Sequence, residues 1–319
     1  MRAPITLDLH LPNFNYPDVP PERLFEKLVA IAQTAEDSGF SSITVMDHLH
    51  QIRGVGPRTN YMFEGNTILG ALAARTERVS LGLLVGGVMY RNPALLAKIT
   101  TTLDVISGGR AILGLGAAWF EEEHLAYGYR FPPLRERFEH LEDALRIARA
   151  MFTEEEPTVE GKHHRVENVL NNPRPLRGDI PILVGGSGER KTLRLVAKYA
   201  DGCNLFGDPE RFRHLLGVLE RHCDDVGRDP AEITKTGMAR VVLAETEDEA
   251  RRKLDAISGG AGGAAFIAGT PERVAEQVSE RLDAGLEGIT ISLPGDVHDL
   301  DIVRLAGETI GPLVGSPVA

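Results

Sequence analysis

Short apolar runs and longer amphipathic stretches alternate along this chain. Runs rich in Val, Ile and Leu fall at Ile5–Leu11, Ser42–Met46, Val79–Val85, Arg110–Leu115, Ile180–Val184, Gly202–Phe206, Met238–Ala244 and Gly288–Leu293. Most are continuously apolar, the pattern of parallel strands covered on both faces. Between them, Leu134, Phe138, Leu141, Leu145, Ala148 and Phe152 recur every three or four residues, which predicts one stripe on a helix. Leu95, Leu96, Ile99, Leu103 and Ile106 predict a second stripe. Asn92-Pro93, Asp208-Pro209 and Thr270-Pro271 each place a capping residue before a proline at the first helical position. Thr246 and Glu249 have capping-box spacing, and Gly39 is placed to stop the first helix.

Eight strands alternating with about eight helices predict an α/β fold, a (β/α)8 TIM barrel with insertion loops at its C-terminal face. An open doubly wound sheet obeys the same alternation but seldom needs eight strands. No linker or repeat divides the chain, so residues 1–319 are expected to form a single barrel domain. Asp47–Asn66, Ala117–Pro133 and Thr153–Asp179 are too long for simple connections. The first two leave the carboxyl ends of strands, where barrel enzymes carry their active sites. Thr153–Asp179 follows a helix and has room for a small hairpin.

Composition narrows the function classes. Of 319 residues, 42% are hydrophobic and 25% charged, an ordinary globular balance. No uninterrupted apolar stretch is long enough to span a membrane. The formal charge of −11 and the lack of a basic cluster argue against nucleic acid as a partner. Two cysteines, Cys203 and Cys223, make neither a disulfide framework nor a zinc-ligand spacing. With no secretory pattern at the N-terminus, a reducing cytoplasmic setting is expected.

Candidate chemistry collects at strand ends. Asp47-His48 closes the second strand, and a carboxylate beside imidazole suits proton handling. The same dipeptide also reads as a loop cap beside a hydrogen-bonded loop histidine. Gly185, Gly186, Ser187 and Gly188 join a buried strand to a helix start, an arrangement that can cradle a phosphate through backbone amides; a tight turn needing positive φ is the plain alternative. Gly86, Gly87, Gly114 and Gly116 punctuate neighbouring strands and leave room for a flat ring or for close packing inside a barrel. Tyr90 and Trp119 flank this region as candidate walls of a substrate pocket. Glu121, Glu122 and Glu123 read as the solvated start of a helix. His163-His164 lacks a spaced carboxylate or thiolate, so no metal is expected.

Taken in order, Asp47-His48, Tyr90-Arg91-Asn92-Pro93, Ser107-Gly108-Gly109-Arg110, Leu113-Gly114-Leu115-Gly116, Gly185-Gly186-Ser187-Gly188, Tyr199-Ala200-Asp201-Gly202 and Ala268-Gly269-Thr270-Pro271 resemble the bacterial-luciferase-like oxidoreductases. Within that family the set is most similar to the branch using coenzyme F420, a deazaflavin. The resemblance implies a cofactor lying in the barrel mouth, with Asp47 and His48 facing its ring. Leu84, Val85 and Gly86 would press on its back through a bulge that often carries a non-prolyl cis peptide. Gly116 would lie beside the ring, and Gly185, Gly186, Ser187 and Gly188 would hold the cofactor phosphate. It further implies His48 as proton donor or base, oriented by Asp47. The expected activity is hydride transfer between coenzyme F420 and a small organic substrate in a homodimer. The alternative is an FMN-dependent monooxygenase that uses oxygen, and a non-catalytic flavin carrier is the third reading. In the sugar-phosphate dehydrogenases of the family a catalytic glutamate follows the glycine-rich strand. Trp119 takes that position here, which argues against glucose-6-phosphate-type chemistry.

Overall fold

The computed structural model describes residue 3 and residues 5–258 and 266–315; the rest of the expected 1–319 domain lies outside the described residues. Its strands are β1 (Leu7–Leu11), β2 (Ser42–Val45), β3 (Ser80–Leu83), β4 (Gly86–Gly87), β5 (Ala111–Gly116), β6 (Val159–Glu160), β7 (Arg165–Val166), β8 (Ile182–Gly185), β9 (Gly202–Phe206), β10 (Thr234–Leu243), β11 (Phe266–Gly269) and β12 (Gly288–Ser292). The helices are α1 (Leu24–Asp37), α2 (Gly65–Ala73), α3 (Pro93–Ser107), α4 (Glu121–Ala126), α5 (Leu134–Thr153), α6 (Thr192–Tyr199), α7 (Pro209–Val226), α8 (Glu247–Ser258), α9 (Pro271–Leu282) and α10 (Leu300–Ile310).

The sheet closes. β1, β2, β3, β5, β8, β9, β10 and β12 pair in parallel, with β10 joining β9 to β12 and β12 returning to β1. That ring excludes the open doubly wound sheet. β4 extends the β3 stave beyond a break and pairs with the end of β5. β10 begins at Thr234, four residues before the apolar run, because buried Thr234 and Thr236 alternate there with half-buried Lys235. β6 and β7 form an antiparallel hairpin inside the long 153–179 connection.

Local chemistry explains the helix starts. Asn92 accepts the amides of Ala94 and Leu95, Asp208 that of Arg211, and Thr270 that of Arg273. Gly39 takes φ +89° after α1, a conformation open to glycine at little cost. The stripe expected on α3 is turned. Leu96, Thr100, Leu103 and Ser107 face inward, whereas Leu95 and Ile106 are 55% and 50% exposed.

The core splits into two layers. Leu7, Leu9, Leu11, Ile43, Val45, Leu113, Leu115, Val184 and Leu205 pack outward against the helices. The alternate positions point into the barrel. On one side these are Asp8, His10, Ser42, Thr44, Asn204, Thr236, Thr290 and Ser292, all buried. On the other, Ile5, Ile112 and Leu183 pack with Leu84 and Val85. Half of the interior is therefore polar, because β1 and β2 alternate where unbroken apolar runs were expected.

Candidate active site at the barrel mouth

A cavity of about 620 Å³ opens at the carboxyl ends of the strands. Its size suits a ligand of cofactor dimensions. Among its walls are Asp47, His48, Leu84, Val85, Gly86, Tyr90, Gly116, Trp119, Gly185, Gly186 and Gly188. Ser187 lines instead an adjoining groove of about 470 Å³, with Gly188, Arg190, Lys191 and Arg211.

The glycines have separate duties. A Cβ on Gly114 would lie 1.9 Å from the carbonyl oxygen of Leu83, so that glycine lets the β3–β4 break approach β5. Cβ atoms on Gly116 and Gly185 would both meet Val85 at 2.8 Å. The Leu84–Val85 peptide is cis, as the resemblance implied. Close packing thus accounts for Gly114, while Gly116 and Gly185 also bound the cavity. At the phosphate-cradle candidate, Ser187 Oγ accepts the Phe206 amide at 2.8 Å and lies 3.3 Å from the Phe206 carbonyl. The hydroxyl fastens the loop to the end of β9, and Gly186, at φ +120°, turns the chain toward α6. Lys191 sits over the Phe138 ring at 5.2 Å.

Asp47 and His48 diverge. Both oxygens of Asp47 meet the Arg91 guanidinium, at 2.7 and 2.8 Å, and Oδ2 also accepts the Gly87 amide at 3.0 Å. Burial pushes the Asp47 carboxyl up, and the Arg91 fork opposes it. Arg91 also bonds Glu64, whose carboxyl falls to about 2 because the Thr67 and Arg91 bonds outweigh its desolvation. Asp47 therefore braces the β4 wall. The expectation that Asp47 orients His48 is corrected: the His48 partner is Glu123.

Glu123 is fully buried, not the solvated helix residue expected from its charge run. It belongs to α4, where Phe120, Glu123 and His124 turn inward together while Glu121 and Glu122 face solvent. His48 Nδ1 lies 2.9 Å from Glu123 Oε2, and the Tyr90 hydroxyl donates to the same oxygen. The amides of Leu49 and His50 donate to Oε1, the latter at 2.9 Å. Burial alone would raise this carboxyl, but the donors prevail and hold it at about 2. Facing an ionised acceptor, His48 Nδ1 must carry the proton of that bond, which leaves Nε2 as the second ring nitrogen. Trp119 meets the His48 ring edge-on at 5.6 Å and is 59% exposed, as a mouth residue would be. Tyr90 lines the cavity, yet its hydroxyl is engaged by Glu123 and its pKa is raised by burial and that bond.

A second polar chain lies in the barrel interior. Thr44 donates to Asp8 Oδ2 at 2.7 Å, Ser42 to Oδ1 at 2.9 Å, and His10 Nδ1 lies 3.0 Å from the Thr44 hydroxyl. Burial lowers His10 to about 3, so its ring is neutral. Burial raises Asp8 to about 6 against three hydroxyl bonds. Asn204 donates to Thr236 and Thr290 at 2.9 and 3.0 Å, and its buried Oδ1 has no partner among the described residues. Neither His10 nor Asn204 was foreseen. The alternation of polar and apolar residues in β1 was the signal.

A model of the luciferase-like monooxygenase family matches residues 7–262. The chain belongs to that family. An F420-dependent glucose-6-phosphate dehydrogenase of Microbacterium testaceum is 28% identical, over 90% of this chain and 92% of its own. Two solved structures share the fold of this family member. The F420-dependent tetrahydromethanopterin reductase of Methanopyrus kandleri has TM-score 0.80 and 20% identity, covering 98% of this chain and 99% of its own. A monooxygenase from Streptomyces bottropensis has TM-score 0.79 and 24% identity, covering 97% and 99%. No helix among the described residues is long and apolar enough to cross a membrane.

Proposed function

We propose that this luciferase-like protein transfers a hydride between coenzyme F420 and a small organic substrate. The observation that carries the reading is the His48–Glu123 pair on the rim of a cavity that is also lined by glycine backbone and Val85. The residues fit such a cofactor. The Leu84–Gly87 wall offers a shelf for a flat ring, and Asn204 Oδ1, unpartnered among the described residues, is an acceptor at the same cavity. The Gly185–Gly188 turn and the groove with Arg190, Lys191 and Arg211 suit an anionic tail. The F420-dependent names of the relatives support the same choice of cofactor.

When bound, the deazaflavin supplies two-electron hydride chemistry. This chain's residues supply the proton and the positioning. His48 Nε2 accepts a proton from, or returns it to, the substrate oxygen. Glu123, fixed by four donors, holds the ring in the Nδ1–H tautomer and stabilises the imidazolium that forms. Tyr90 and the Leu49 and His50 amides keep Glu123 ionised. Trp119, Ile52, Val55 and Phe138 limit water at the mouth. Asp47 and Arg91 brace the β4 wall that would support the ring.

Glu123 reaches the site from four residues beyond the Trp119 position. It contacts His48, while Trp119 holds the sequence position at which the resemblance puts the glutamate of the sugar-phosphate dehydrogenases, so the substrate is not expected to be glucose 6-phosphate. The reaction setting is a reducing cytoplasm, which fits the two free, buried thiols Cys203 and Cys223. Pairing into a homodimer would cover Leu95 and Ile106 on the outer face of α3. Titration of the protein with F420 and with FMN, followed by ring fluorescence, tests the cofactor. Saturation by one F420 per chain with at least tenfold weaker FMN binding is expected. Tight binding of FMN alone, with oxygen consumption when a flavin reductase is supplied, would overturn the reading.

A further inference from the structure

On the face of α5 opposite the cavity, the helix and the β6–β7 hairpin gather three imidazoles and a carboxylate. Glu136 and His140 stand one turn apart on α5, and His163 and His164 occupy the hairpin tip. One ligating atom from each of Glu136, His140 and His163 lies within 4.8 Å of the other two. We propose that Glu136, His140 and His163 form a binding site for a divalent transition-metal ion of the zinc class.

The strongest sign is an unsatisfied nitrogen. His140 is only 7% exposed, and its buried Nε2 has no hydrogen-bond partner among the described residues; it faces Glu136 Oε1 at 3.7 Å, too far for a bond. Buried ring nitrogens are rarely left so, and a cation between these atoms would satisfy both. The other nitrogen is already arranged. His140 Nδ1 lies 2.8 Å from His164 Nε2. With Nδ1–H donating to His164, Nε2 carries the lone pair that a metal requires, the outer-shell arrangement that orients metal-bound histidines.

The hairpin tip is also fixed before any ion arrives. Asp143, buried on α5, accepts the amides of Lys162, His163 and His164 at 2.9, 2.7 and 3.0 Å. A Cβ on Gly161 would lie 2.4 Å from the Asp143 carboxyl carbon, so glycine is what admits this clamp. Glu139 meets His163 Nε2 at 2.9 Å and orients that ring from the outer side. Arg130, 3.1 Å from Glu136 and 77% exposed, is a weakly held competitor that an ion would displace. Two imidazoles and one carboxylate are a zinc-type donor set rather than the all-oxygen set of calcium or magnesium, and water can take a fourth position. Small side-chain rotations would close the ligand atoms to the roughly 3–3.5 Å separations of a tetrahedral site. The bound ion would pin the hairpin to the helix whose other face, through Leu134, Phe138 and Leu141, lines the cavity.

The test uses the full chain freed of metal by EDTA and buffer exchange. It is titrated with Zn2+ against a chromophoric chelator, and with Co2+ followed by visible absorption. One ion per chain, a low-coordinate Co2+ spectrum and a Zn2+-dependent rise in Tm are expected. His163→Ala, at a half-exposed ring outside the cavity, should lower Zn2+ affinity at least tenfold and remove the Tm rise; Glu136→Gln should weaken binding less. Circular dichroism shows that each variant is folded. Binding that is unchanged in both variants, or absent from the wild type below millimolar Zn2+, would overturn the proposal.

Discussion

Two stations of this barrel use the same residue types to opposite ends. At the rim, His48 meets Glu123, which is held at about 2 by His48, Tyr90 and two backbone amides. In the interior, His10 meets Asp8 through Thr44, and Asp8 is raised to about 6 while His10 falls to about 3. The rim carboxylate has four donors, two from the backbone. The interior carboxylate has only hydroxyls and is wholly buried. Donor supply, not residue identity, decides which way each buried carboxyl shifts. The rim pair sets an ionised carboxylate against imidazole, whereas the interior chain joins a neutral His10 to a carboxyl that gives up its proton only near pH 6. Environments that push like groups apart in this way support the proposed acid–base role of the rim pair.

Breaking the rim should have the largest consequence. Glu123→Gln keeps the shape but removes the charge that fixes the His48 tautomer. Turnover with F420 should fall about 10²–10⁴-fold while F420 affinity stays within about threefold, read by steady-state kinetics beside fluorescence titration. His48→Ala combined with Glu123→Gln should cost little more than either change alone, because the two act as a unit. Additive losses would separate them.

In the interior the effects should appear in stability. The Asp8 pKa is raised on folding, so its contribution is complete below its ordinary value near 3.8 and is lost as pH rises through about 6. The stability of the wild type relative to Asp8→Asn should therefore decline from pH 4 to pH 7, by up to about 3 kcal/mol. Denaturant melts of both proteins across that range read the difference, and parallel curves would refute the assignment. Thr44→Val removes the hydroxyl between His10 and Asp8 and should cost about 1–3 kcal/mol by the same melts. The smallest effect on turnover belongs to His10→Gln. The His10 pKa is depressed, so its contribution is present above 6.5 and is lost as pH falls toward about 3. The variant should flatten that acid-side loss and change turnover by less than about threefold.

The contrast also shows what the chain makes legible before folding. The eight staves stood where Val, Ile and Leu cluster, and the three caps that stand before proline formed as their chemistry requires. The α3 stripe was misread because Leu95 and Ile106 compete with Leu96, Thr100 and Leu103, and only the tertiary contact chooses a face. Glu123 was hidden inside an acidic run. Its burial depends on donors from Leu49, His50 and Tyr90, more than thirty residues away. Asp47 lay beside His48 in sequence but its charge is taken up by Arg91. His163 and His164 seemed to lack a carboxylate because Glu136 and His140 stand over twenty residues earlier, on a helix. Apolar period is local and readable; pairing of charges is long-range and is not.

The central claim is that the rim pair moves the proton that accompanies hydride transfer. The most direct measurement is single-turnover oxidation of bound, reduced F420 by a panel of small carbonyl compounds, in wild type and Glu123→Gln. The account predicts loss of the reduced-ring signal in the wild type, and the same amplitude at a rate at least a hundredfold slower in the variant. Equal rates in the two proteins would contradict it.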